Sequence, residues 1–471
     1  MTIRSLLPPA VVLAGLNCLS PTALASDFAE VYQRALQNDP IIREAEANRL
    51  ASLESKPQAL SALLPQLAAS AGYEWSETDG EGRQLLPDPA TSELDYLLVP
   101  FNRDRDTTTW DVSLRQSIFR WENWVTLRRA DREVAQAEID YQAAQQELIL
   151  RTAERYFNVL AAKDTLSAAE ATYEALGRQL EQAEKRFEVG LIAITDVQDS
   201  KAAYDSATAA VIQAKRNLAT QQEFLRELTG DSFDVLARPG EDLPLNPPDP
   251  EDEDAWVNMA MDQNLRLSSS RLAADITRDD ISFQRGGHYP TLDLVVSRGN
   301  SDFNGTATFT TETGPESRPD DGFQDDTRIS LQFTLPIYSG GATSSRVRQA
   351  EYRHRAARER LERTARETER EARDAFLGVT AEMSRVQALQ QAVESARVAL
   401  QATEAGYEVG TRTTVDVLDA RRRLFEAETN YARSRYDYLV NVLRLKLAAG
   451  TLDPTEVAAV NTNLNEEVTL R

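Results

Sequence analysis

RFEVGLIAITDVQDS (residues 186–200) and GYEVGTRTTVDVLDA (406–420) carry one pattern twice, 220 positions apart. Phe187-Glu188-Val189-Gly190 returns as Tyr407-Glu408-Val409-Gly410, Asp196-Val197 as Asp416-Val417, and Asp199 as Asp419. Each copy closes a charged, apolar-periodic run at a glycine, which tolerates the left-handed backbone of a helix terminus. Thr195-Asp196 and Thr414 to Asp416 then offer cap and first-turn acids to a helix running back. The unit is a long helix, a tight turn and a returning helix, present twice. A duplicated hairpin of this kind suits a ring, a tube or a fibre better than a compact catalytic domain.

Before each turn the apolar positions keep coiled-coil time. Leu127, Ala130, Val134, Ala137, Tyr141, Ala144 and Leu148 step alternately by three and four. The register shifts near Thr152 and resumes from Leu166 through Leu176 to Phe187. At the same offset stand Val347, Ala350, His354, Ala357 and Leu361, then Val386 through Leu400 to Tyr407. That rhythm presents one narrow stripe to a partner helix. Glu, Arg, Gln and Asp crowd the faces between. The first long helix is expected over 123–187, on the order of 95 Å at 1.5 Å per residue. The returning helices are expected over 195–229 and 415–449.

Further out lie alternating segments. Leu67, Ala69, Ala71, Tyr73 and Trp75 occupy every second position, as do Trp110, Val112 and Leu114. In the other half Leu292, Leu294 and Val296 match Ile329, Leu331, Phe333, Leu335 and Ile337. Alternation over about 10 residues with aromatics is the weak signature of outer-membrane strands, and equally of half-buried strands in a soluble sandwich. Polar Gly/Pro/Asp-rich stretches at about 77–108 and 299–326 read as long hairpin loops. Each half then has two strands and the chain four. A closed bacterial barrel needs about eight or more, and open edges cannot face lipid. Other copies of the chain must complete it. Two copies give eight strands and three give twelve, and the residues alone do not choose.

The expected organisation is a signal peptide at 1–25, a first structural repeat at 26–229, an acidic Pro-rich linker at 230–255, a second repeat at 256–449 and a tail of little pattern at 450–471. Arg4, the apolar stretch Leu6 to Leu16 and Ala23-Leu24-Ala25 make the secretory signal. It contains Cys18, the only cysteine, so the mature chain has no thiol or disulfide chemistry. Beyond it no apolar run reaches ~18 residues, so no transmembrane helix is expected. The 75 acidic against 52 basic residues give a net charge of −23, which repels phosphate backbones and excludes nucleic acid as a partner.

The runs VYQRALQNDP (31–40), QSIF (116–119), GHYPTLDL (287–294), SLQFTLPIYSGG (330–341) and the two hairpin motifs resemble the outer membrane efflux protein family. The resemblance covers essentially the whole mature chain. It implies a mainly α fold with a transmembrane β portion: helical hairpins forming a periplasmic tunnel, and four strands per protomer completing a trimeric 12-stranded barrel. It implies a homotrimer in the outer membrane that docks with a periplasmic adaptor protein and an inner-membrane ABC, RND or MFS-type translocase. Cargo would pass through unchanged, in type I protein secretion or multidrug efflux, with no cofactor.

The resemblance also implies site roles. Asp416 and Asp419 would line the narrowest constriction as carboxylate rings. Tyr407 and Arg412 would hold the entrance shut through bonds to Asp196 and Thr195, and Glu404 with Gln179 would form another link. Spacing supports the rings in part, since Asp416 and Asp419 stand three apart and share a helix face. Such rings favour bound cations and raise some carboxyl pKa values. Compensation of the helix dipole explains Asp416 equally well, and Arg412 reads as a solvated cation or as a bidentate partner of Asp196. Tyr407 sits at a seam position, yet its counterpart is Phe187, so this copy alone carries a hydroxyl. His288 and His354, the only histidines, have no companions at metal-ligand spacing. With no phosphate loop or nucleophile motif, an enzyme is not expected. The rival reading is a non-conducting tether or adhesin that spans the periplasm as coiled coil.

Overall fold

The computed structural model describes residues 26–87, 93–240, 243–311 and 314–470; the secretory segment and Cys18 lie outside the described residues. Along the chain run α1 (Phe28–Asn38), α2 (Pro40–Leu53), α3 (Ser55–Ser61), β1 (Gln66–Pro87), β2 (Leu94–Phe119), α4 (Trp121–Glu188) and α5 (Ile194–Thr229). After β3 (Val235–Pro239) come α6 (Glu253–Gln263), α7 (Leu265–Gly286), β4 (Thr291–Thr311), β5 (Gly314–Pro319), β6 (Gly322–Thr334), α8 (Ala342–Glu408) and α9 (Thr414–Ala449). The chain closes with α10 (Pro454–Asn461) and β7 (Leu464–Thr469). Two compact units result, each drawing on both halves of the sequence. Among the described residues, one comprises 26–43, Ala144–Asn264 and 369–470; the other comprises Glu44–Ala143 and Leu265–Thr368.

In the first unit the core is aromatic where α1 meets α4. Phe28, Tyr156 and Phe157 are fully or almost fully buried. Their rings contact edge-on and stacked, and Phe157 also stacks on Tyr436 of α9 at 5.8 Å. Burying a phenolic ring requires partners for its hydroxyl. Tyr156 donates to the Ala237 carbonyl at 2.5 Å, and Tyr436 donates to the Asp164 carboxylate at 2.6 Å. Burial pushes both phenols up from their usual pKa, and for Tyr436 the Asp164 carboxylate adds to the effect. Ala237 belongs to a small sheet the sequence did not announce, β3 paired antiparallel with β7. Ser26 bridges β3 in parallel, and the Asn461 side chain ties Asp27 and the Phe28 amide.

The second unit holds the main sheet in the order β1-β2-β4, with β5 and β6 following each other along the far edge of β4. All pairings are antiparallel. The fourth strand position is thus filled by two pieces interrupted after Pro319. Much of what reads as loop at 77–108 and 299–326 is strand: Thr78 pairs with Arg103, and Arg103 with Ala307. Alternation vanishes there because both faces are polar, whereas the backbone ladder needs no side-chain pattern. β6 also stops at Thr334, short of the expected Leu335 and Ile337.

Exposure divides the sheet into two faces. Phe101, Arg103 and Arg105 of β2 are half-buried while Asp104 and Asp106 are open; Phe303 and Gly305 of β4 are half-buried while Asp302 and Asn304 are open. The register puts the half-buried positions on one side, Gly80 opposite Phe101 and Arg105 opposite Gly305, as a curled sheet demands. On the outer, convex side stand Leu67, Tyr73, Trp75, Trp110, Val112, Ile329, Leu331 and Phe333, all exposed. The inner side carries Asp111, Ser113, Arg115, Asp293 and Ser330 at the same height. Apolar and aromatic outside, polar inside, is the pattern of a lipid-facing barrel wall. Two edges remain open, β1 on one side and β6 with β5 on the other. Helices support the base of the sheet: Asp279 of α7 is buried between Arg128 and Arg132 of α4. His354 lies in the seam against α7, its Nδ1 within 3.1 Å of the Thr277 hydroxyl and 3.2 Å of the Ala274 carbonyl.

Candidate functional site

The sequence motifs converge at the hairpin turns of the first unit. Gly190 and Gly410 adopt φ of 74° and 76°, the left-handed conformation that glycine alone takes cheaply. The Leu191 amide donates to the Arg186 carbonyl at 2.9 Å and Thr411 to Gly406 at 2.8 Å, so both long helices end in the same closing bond.

From there the two copies diverge. Ala193 precedes α5 and offers no side-chain cap. Its counterpart Thr413 caps α9 reciprocally: its hydroxyl accepts the Asp416 amide at 3.2 Å, and Asp416 Oδ2 accepts the Thr413 amide at 2.8 Å and hydroxyl at 2.9 Å. These bonds from the Thr413 backbone and side chain, with smaller help from Arg412 and Arg423, hold the Asp416 carboxyl below the usual aspartate range. Within one protomer Asp416 is therefore a capping acid. Asp419, one turn on, is exposed and takes Arg422 at 3.3 Å. Asp419 and Arg422 also line a cavity of ≈ 310 Å³ walled by Ala203, Ala207 and Phe425.

The residues expected to form gate bonds are placed as follows in the single protomer. Arg412 is exposed and folds back over its own hairpin, where a Cβ on Gly406 would meet its Cγ at 2.7 Å. Tyr407 packs beside Leu400, Val417 and Ala420, and the Arg186 guanidinium lies 5.0 Å from its ring centre. The two hairpin ends thus meet through a cation–π contact. Among the described residues, no hydrogen bond or ion pair joins Tyr407 or Arg412 to the exposed Thr195 or the half-buried Asp196. Gln179 and Glu404 do share a cavity of ≈ 200 Å³, with Tyr407, Val417 and Arg421. Yet Glu404 is bonded to Arg421, and both amide atoms of Gln179 are buried without partners. Arg421 escaped the sequence reading because an arginine in so charged a helix looks like a solvated one. Its only flag was that Lys201, its counterpart, is a different cation.

Neither unit contains a cluster able to hold a metal ion among the described residues. What the geometry offers is a curled sheet dressed for lipid, and paired helical hairpins whose tips present charged and aromatic groups. This defines the class, an outer-membrane channel-tunnel protein that transports rather than catalyses. The chain belongs to the outer membrane efflux protein family, whose model matches residues 31–231 and 256–451. It is 38% identical over 458 residues to the outer membrane protein TolC of Vibrio cholerae, covering 97% of this chain and 98% of that one. Identity with TolC of Escherichia coli is 38% over 469 residues, covering 99% and 90%. The fold matches the CmeC outer membrane channel of Campylobacter jejuni with a TM-score of 0.69 at 19% identity, over 93% of this chain and 90% of that one.

Proposed function

We propose that this chain forms a homotrimeric exit duct across the periplasm and outer membrane for type I protein secretion, drug efflux or both. Its partners are a periplasmic adaptor protein and an inner-membrane translocase that supplies the energy. The observation that carries closure by sister copies is the pair of open sheet edges; the number three follows from the family likeness. β1 offers 22 residues, and β6 with β5 reaches a similar height along β4. β1 runs away from the helices and β6 runs back toward them, so copies related by rotation meet antiparallel. Three copies close an even-numbered barrel of twelve strand positions with no edge left facing lipid. A tether has no need of so large an apolar outer face.

At the entrance, Asp416 and Asp419 line the constriction as two carboxylate rings, and Tyr407 and Arg412 lock it against Asp196 and Thr195 of a neighbouring hairpin. The exposure of Arg412 and Thr195 in the single protomer, with no bond between them, supports bonds made between protomers. The duct should show small, cation-selective conductance in planar bilayers. Replacing Asp416 and Asp419 with Ala should relieve block by divalent cations, and replacing Tyr407 with Phe and Arg412 with Ala should enlarge conductance. Unchanged block and unchanged conductance would overturn these assignments.

A further inference from the structure

Arg421 stands where three helices meet. From α9 it reaches Glu404 of α8 in an ion pair whose cationic side chain is only 21% exposed. Its Nε is buried without a hydrogen-bond partner, as are Nε2 and Oε1 of Gln179 on α4. All three residues line one cavity, with Tyr407 and Val417 beside them. An unpaired buried donor or acceptor is costly, so groups facing one small cavity gain by sharing it, directly or through a bridging water. The guanidinium suits this place: two edges of one rigid planar fork serve two partners in a fixed geometry, which the flexible point charge of an ammonium does not impose.

The duplication supplies an internal control. At the equivalent positions of the first hairpin stand Lys201 and Glu184, both exposed, and no ion pair joins them among the described residues. The chemistry for a pair exists in both hairpins, but only the second builds and buries it. A merely solubilising arginine has no reason to be sheltered this way.

We propose that Arg421 is a positioning residue of the entrance. It keeps Glu404 on the second hairpin and, through its free Nε–H, joins Gln179 of the first, so that α4, α8 and α9 move apart only when its bonds break. The link between Glu404 and Gln179 runs through Arg421. This rests on the reading of the hairpin tips as the closed entrance.

The test is single-channel conductance of the full-length trimer in planar bilayers, with retention of the trimer checked in detergent. Arg421→Ala should raise the time spent in enlarged conductance about fivefold, and Arg421→Lys should recover only part of the closure. Glu404→Gln should act like Arg421→Ala, and the double variant should open no further than either single one, because all remove one interaction. Gln179→Ala combined with Arg421→Ala should likewise be less than additive. Normal closure of Arg421→Ala, or full additivity with Gln179→Ala and Glu404→Gln, overturns the proposal. Tyr407→Phe and Arg412→Ala run alongside separate the two failures. If they open the pore and Arg421→Ala does not, Arg421 has no part in an entrance that is correctly located. If they too leave it closed, the hairpin tips are not the gate, and the proposal falls with that reading.

Discussion

Replacing Thr413 with Ala should loosen the start of the returning helix in the second hairpin and nowhere else. Thr413 takes part in three capping bonds, its hydroxyl accepting one and donating another while its amide donates the third. Ala abolishes the two hydroxyl bonds and leaves the amide bond to Asp416. Losing an N-cap side chain typically costs about 1 kcal/mol, or roughly fivefold in a local opening equilibrium. Amide hydrogen exchange resolves this directly: protection of the Asp416 and Val417 amides should fall about fivefold. The corresponding amides of Asp196 and Val197 should not change, because Ala193 already leaves that helix start uncapped. The reverse exchange, Ala193→Ser, should raise protection there by a similar factor, since Asp196 stands ready as the reciprocal acid. In bilayers, Thr413→Ala should lengthen open dwell times by no more than that fivefold. Unchanged protection at residues 414–417, or an equal loss at both hairpins, would refute the reasoning.

Three further outcomes are expected. Leu331→Arg places a charge on the outer face of the sheet and should impair insertion by about 2–4 kcal/mol if it sits at mid-bilayer, whereas Ser330→Arg on the inner face should be tolerated; membrane fractionation and heat-resistant trimer in gels measure both. Arg422→Ala frees Asp419 from its 3.3 Å partner, so block of the pore by divalent cations should strengthen, and equal block in both proteins would mean that Asp419 does not face the lumen. Tyr156 and Tyr436, with phenol pKa values raised by burial, should ionise after the exposed tyrosines in an ultraviolet alkaline titration. Because the fold favours their neutral forms, their contribution to stability is complete below about pH 10 and is lost as pH rises through their folded values.

The helices were legible to within two residues, expected over 123–187 and found from Trp121 to Glu188, because a heptad seam and a glycine stop are both strong local signals. Strand existence was legible too, where lipid on one face forces alternation. It was not legible beyond the apolar band, since residues such as Asp104 and Asp302 face water on an outer surface that no longer touches lipid. The β3–β7 pair escaped notice because strands of five and six residues, β3 ending on Pro239 and β7 mostly polar, are too short to carry a periodic signature. At the hairpin tips, composition revealed where charges gather but not which charge finds which. Glu404 could be placed near Gln179 by resemblance, yet its bond to Arg421 depends on helix packing that no spacing rule encodes.

Those unfinished sheet margins also dictate how the molecule must be made. A solitary subunit leaves two ribbons of backbone amides and carbonyls unsatisfied and a greasy outer skin exposed to water, an invitation to stick to anything similar. Its escape is to meet two siblings, so maturation scales steeply with local concentration and stalls when copies are scarce. A subunit damaged at either margin should therefore poison the assemblies it joins.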